Sequence, residues 1–128
     1  MRLSHDEWWI VLKGMLFQAS VGILPDERTR PQPIEVDLAV CVGDGPVSVD
    51  GPDIVDYTRL YDAVASILSS GHIDYLEDIA ERVAASAFAA SDRVTRADVA
   101  VRKPKVVLGG PLAYAEVRIE RSRSSAGV

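Results

Sequence analysis

Between Asp53 and Ala90, two apolar stripes recur at three- and four-residue intervals on either side of a Ser69-Ser70-Gly71 break. Tyr57, Leu60, Tyr61, Val64, Ile67 and Leu68 make the first stripe; Leu76, Ile79, Ala80, Val83, Ala84, Ala87 and Phe88 make the second. That period is helical, so the stretch predicts two helices, each burying one side and wetting the other. Asp74 stands three residues before Glu77, a capping-box spacing. Glu77 would then lie in the first turn, where the helix dipole favours a carboxylate. Two such helices need a surface to lie on, and the rest of the chain reads as a sheet.

Trp8 to Phe17 is apolar or aromatic apart from Lys13 and Gly14, which predicts a strand with both faces at least partly covered. Gln18 to Arg30, with Gly22, Pro25 and a charged cluster, reads as a connection. Ile34 to Val42 alternates: Ile34, Val36, Leu38, Val40 and Val42 on a core face, Glu35, Asp37, Ala39 and Cys41 on the other. Strands one and two are expected to be antiparallel neighbours joined by a long excursion. Gly43 to Pro52 reads as an exposed loop. Ser91-Asp92-Arg93 turns the chain into a third strand, Val94 to Arg102, and Pro104 ends its pairing. A fourth strand runs from Leu112 to Glu120, with Ala113, Ala115, Val117 and Ile119 opposite Tyr114, Glu116, Arg118 and Glu120. The expected fold is α+β, a four-stranded antiparallel sheet with two helices on one face. Residues 1–128 form a single domain with a core of about 8–121 and loose ends. The sheet's second face needs a cover, which another copy would supply in a symmetric oligomer.

A length of 128 residues and 48% apolar content suit one domain with a sizeable core. The charge of -5, without a basic block, argues against nucleic acid. No apolar run reaches membrane-spanning length, and the first residues lack the apolar core of a signal peptide, so the expected location is cytoplasmic. Cys41 is the lone cysteine, which excludes a disulfide framework and a thiolate metal site; within an alternating strand it is expected to be buried and inert. His5 reads as a surface residue of the tail and His72 as a turn residue; two histidines without clustered carboxylates give no metal centre.

Four polar residues fall at element edges: Glu27, Tyr57, Glu77 and Lys103. Singly, each has a plain structural account: a solvated loop charge, a core phenol, the reciprocal partner of a cap, and an exposed strand-end lysine. As an ordered series they belong to Leu12-Lys-Gly-Met, Gly22-Ile-Leu-Pro-Asp-Glu27, Asp53-Ile-Val-Asp-Tyr57, Tyr75-Leu-Glu-Asp-Ile-Ala-Glu-Arg-Val83 and Val101-Arg-Lys-Pro104. That series resembles the dihydroneopterin aldolase family over roughly residues 9 to 121.

The resemblance implies a tunnelling fold, in which β-β-α-α-β-β units pack in rings of four around a barrel as tetramers or octamers. It implies pockets between neighbouring subunits, a small pterin substrate, and neither cofactor nor metal. Glu77 matches the carboxylate that anchors the ring's 2-amino and N3 edge, with Leu76 and Val55 as further substrate-binding positions. Lys103 matches the catalytic lysine, Tyr57 the tyrosine tied to protonation, and Glu27 a glutamate that meets the lysine and the substrate hydroxyls. The implied reaction is retro-aldol cleavage of 7,8-dihydroneopterin; alternatives are C2′ epimerisation or non-catalytic binding of a pterin or purine. The chain departs from the family at three places. Val21 stands in place of a histidine, Ile54 in place of a threonine, and Pro111 where a Pro-Gly-His segment is usual.

Overall fold

The computed structural model describes residues 7–43, 55–106 and 108–123. Its elements run β1 (Trp9–Ala19), α1 (Pro25–Thr29), β2 (Gln32–Cys41), α2 (Tyr57–Leu68), α3 (Leu76–Ala90), β3 (Arg96–Lys103) and β4 (Ala115–Ser122). The strands form one antiparallel sheet in the order β1-β2-β3-β4. The helical and alternating patterns explain the two layers. Ile34, Val36, Leu38 and Val40 of β2 are buried beneath Leu60, Val64, Ile79 and Val83 of the helices. α2 lies over β1 and α3 over β3 and β4. Cys41 is buried, as its place in β2 predicts, and its thiol meets Glu7 at 3.6 Å. Among the described residues, no helix is long and apolar enough to cross a membrane.

β1 departs from simple alternation. Its register shifts between Leu12 and Met15, so Ile10 and Leu12 and then Met15, Phe17 and Ala19 all pack toward the helices. Gly14 takes φ +70° there, a left-handed conformation that a side chain would strain. Its N–H, displaced from the ladder, donates to Asp37 Oδ1 at 2.7 Å. The expectation that both faces of β1 are covered fails within one chain: Val11 and Leu16 are more than half exposed.

Three further expectations need correction. The connection after β1 contains a helix, α1, begun by Pro25 with Asp26 and Glu27 in its first turn, the composition that suits a helix start. The cap of α3 is Tyr75 rather than Asp74, and no side chain bonds to it; Asp74 instead lies 4.0 Å from Arg28 and 3.6 Å from His72. The capping-box pairing of Asp74 with Glu77 is therefore not made. Finally, β4 continues past Glu120 to Ser122, and residues 124–128 fall outside the described residues. Arg123 donates to the carbonyls of Phe88, Ser91 and Val94 and lies over the Phe88 ring, placing a cation at the C-terminus of α3. Ile54, His5 and the whole of the loop after Gly43 fall outside the described residues.

Candidate functional site

Lys103 ends β3 on the side that faces α1, and its Nζ lies 3.1 Å from Glu27 Oε2. Neither side chain is freely solvated: Lys103 is 16% exposed and Glu27 26%. Oε1 of Glu27 accepts from the Leu24 N–H at 3.3 Å, which fixes the carboxylate's second oxygen. Lys103 holds Glu27 below its ordinary range against the opposite push of burial, with further help from the Leu24 N–H and from Gln32. This pair lines an open cleft of about 310 Å³ together with Leu24, Arg30, Gln32 and Lys105. The plain accounts of a solvated loop charge and an exposed strand-end lysine are both overturned.

The start of α3 is tied to the same loop. Val21 bridges to Ile73, the Gly22 N–H donates to the Ile73 carbonyl, and the Ile73 N–H donates to the Ser20 carbonyl, both at 3.0 Å. Arg28 of α1 approaches Asp74. Glu77 follows in the first turn of α3, exposed and without a hydrogen bond or ion pair among the described residues. Both of its oxygens are thus open to a ligand. Leu76 beside it is buried, 8% exposed.

Tyr57 stands apart. It opens α2, capped by Asp56 through a 2.8 Å bond to the Thr58 N–H, and it is 62% exposed rather than a core phenol. Twelve residues of helix separate it by about 18 Å from the turn that leads into α3. Val55 precedes it and is buried. The cleft lined by Glu27 and Lys103 includes none of Tyr57, Val55, Leu76 and Glu77. One chain therefore joins Glu27 to Lys103 and links their loop to the mouth of α3, but leaves Tyr57 remote.

A second polar cluster occupies the open face of the sheet. Arg102 donates to Glu35 at 2.6 Å, Asp37 at 2.8 Å and Glu116 at 2.7 Å, bracing β2, β3 and β4, and Tyr114 lies under its guanidinium. Burial alone would lower the pKa of Arg102, but Asp37, Glu116 and Glu35 outweigh it and raise it. Burial likewise pushes Asp37 up, while the Gly14 N–H and Arg102 bring it down to a net lowering. The residues carried a sign of this hub, since Glu35, Asp37, Arg102 and Glu116 all fall on non-core positions of their strands. Only the register brings the three acids onto one arginine. Among the described residues, no group of three or more His, Cys, Asp or Glu could hold a metal ion.

Comparison with known proteins points one way. The family described as FolB, dihydroneopterin aldolase, matches residues 10–120. "Dihydroneopterin aldolase 2" of Arabidopsis thaliana is 27% identical over 119 residues, 91% of each chain. Solved structures share the fold, two crystal structures among them. One is a dihydroneopterin aldolase of Burkholderia thailendensis bound to guanine, with TM-score 0.76, 22% identity and 94% of each chain covered. The other is the E. coli dihydroneopterin aldolase in complex with neopterin, with TM-score 0.72, 20% identity, and coverage of 89% of this chain and 98% of that one.

Proposed function

The chain belongs to the dihydroneopterin aldolase family, and from that premise we propose that it cleaves 7,8-dihydroneopterin by a retro-aldol reaction. Glycolaldehyde leaves and 6-hydroxymethyl-7,8-dihydropterin remains. The observation that carries this reading is the part-buried Lys103–Glu27 pair on the wall of an open cleft. An amine held in place by a carboxylate, and reachable by substrate, is what proton transfer at the side-chain hydroxyls requires.

In the proposed reaction the 2′-hydroxyl loses its proton, C2′ becomes a carbonyl, and the C1′–C2′ bond breaks. The electron pair moves into the N5=C6 imine of the ring, so the substrate supplies its own electron sink. The enol-like intermediate then takes a proton at C1′. Lys103, through a bound water, serves as the base and its charged form steadies the intermediate. Glu27 keeps the amine in place and meets the hydroxyls, and Tyr57 serves the protonation step. Glu77, with both oxygens open at the mouth of α3, grips the 2-amino and N3 edge through two parallel charge-assisted bonds. Leu76 and Val55 bound the ring. The guanine and neopterin held by the structural relatives support a flat ring of this kind, because guanine offers a similar row of N–H donors. The distance of Tyr57 from the mouth of α3 within one chain supports a pocket that Tyr57 and Val55 of a neighbouring copy complete.

Incubation with 7,8-dihydroneopterin, following glycolaldehyde and the C2′ epimer together, tests this reading. Wild type should release glycolaldehyde, and Lys103→Ala should lose on the order of a hundredfold or more in turnover. Glu77→Gln should weaken ring binding by roughly tenfold, since a charge-assisted pair becomes a neutral one. Epimer without glycolaldehyde would make the protein an isomerase. Neither product, with ring binding intact in Lys103→Ala, would make it a binding protein.

A further inference from the structure

His72 lies outside every role assigned so far, yet it closes a chain of contacts that ends at Lys103. Its Nε2 is 2.7 Å from the Gly22 carbonyl oxygen. A carbonyl only accepts, so this contact requires the ring to donate from Nε2. The N–H of the same glycine is bonded to the Ile73 carbonyl. Gly22 has φ +135° and the wide conformational freedom of its residue type. Bonds to both its N–H and its C=O remove that freedom and fix the direction in which the chain enters α1. Glu27 packs directly on Gly22: a Cβ at that position would overlap the Glu27 carboxylate and its Cβ. Glu27 in turn accepts from the Leu24 N–H and from Lys103.

We infer that His72 is a positioning residue for the Glu27–Lys103 pair: by fixing the Gly22 peptide it holds the floor on which Glu27 rests. It also touches the lead into α3, but the bonds from the Gly22 N–H to Ile73 and from the Ile73 N–H to Ser20 hold that lead, and so Glu77, without it, with Asp74 and Arg28 making a looser tie. The inference rests on the reading that Glu27 and Lys103 serve turnover, and its test has a readout independent of turnover.

His72→Leu keeps bulk and removes the donor, whereas His72→Gln places an amide N–H near the position of Nε2. In steady-state kinetics with 7,8-dihydroneopterin, His72→Leu should lower kcat by tenfold to a hundredfold, on the order expected for misplacement by less than about 1 Å. KM should stay within about twofold, because ring binding is made elsewhere. His72→Gln should restore most of kcat. Separately, the rate at which an amine-directed acylating reagent modifies Lys103, read by peptide mass spectrometry, should rise in His72→Leu toward that of Glu27→Gln. It should stay near wild type in His72→Gln. Wild-type kcat and labelling in His72→Leu would overturn the inference, as would equal impairment of both variants. If wild type turns over no dihydroneopterin, the proposed reaction fails while the labelling series still decides the role of His72. Should His72→Leu not fold, His72→Asn, whose amide is too short to reach Gly22, takes its place with the same expected labelling.

Discussion

Glu27 shows how one side chain can serve structure and chemistry together. Its ordinary value is 4.5, and pairing with Lys103 lowers it in the folded chain. A carboxyl depressed by folding contributes stability above its unfolded pKa and loses it as pH falls through the folded one. Glu27→Gln should therefore cost about 1 kcal/mol near pH 7, the size expected of a pair that is not deeply buried. That cost should shrink as pH falls below 4.5 and through the lowered pKa, which thermal unfolding of both proteins from pH 7 downward will measure. A constant difference would mean that the amide harms packing instead of removing a charge. Glu27, Lys103 and their meeting were legible only through the resemblance. Residue by residue the pair could not be read, because the two lie 76 positions apart and only the fold sets their distance.

Among the elements, β3 has the most exacting placement. Lys103 faces α1 while its neighbour Arg102 faces the open side of the sheet, as alternation along a strand demands. Arg102 bonds to acids on β2 and β4, and Asp37 among them also takes the bulge N–H of Gly14, so the brace reaches all four strands. Removing the guanidinium would leave three part-buried carboxylates facing one another. Arg102→Met should cost about 3 kcal/mol or more at pH 7, by the precedent of buried pairs broken on one side. Asp37 is lowered by folding, so the stability it contributes is present above its ordinary pKa and lost on acidification. The deficit of Arg102→Met should accordingly be smaller near pH 3 than at pH 7 in denaturant titrations. A deficit that does not change with pH would assign the loss to packing of the arginine stem.

At the scale of the whole molecule, the open sheet face and the remote Tyr57 give the same expectation of assembly. Val11 and Leu16 lie exposed on β1, and Tyr57 and Glu77 are held on separate parts of one chain. Analytical ultracentrifugation should find a closed oligomer of four or eight copies; a monomer at micromolar concentration would leave the proposed pocket without Tyr57. The sequence by itself determined the two-layer α+β arrangement. Helical period in residues 57–90 and strict alternation in β2 each depend on neighbours within a few positions, and burial of one face follows from them. It placed α2 at its observed bounds and put Glu77 in the first turn of α3. Tertiary structure alone decided the bulge at Gly14, the seating of Glu27 on Gly22, the arginine among three acids, and the freedom of Glu77 from any cap. Each of these depends on register between segments far apart in the chain, where a slip of one residue turns a side chain to the opposite face.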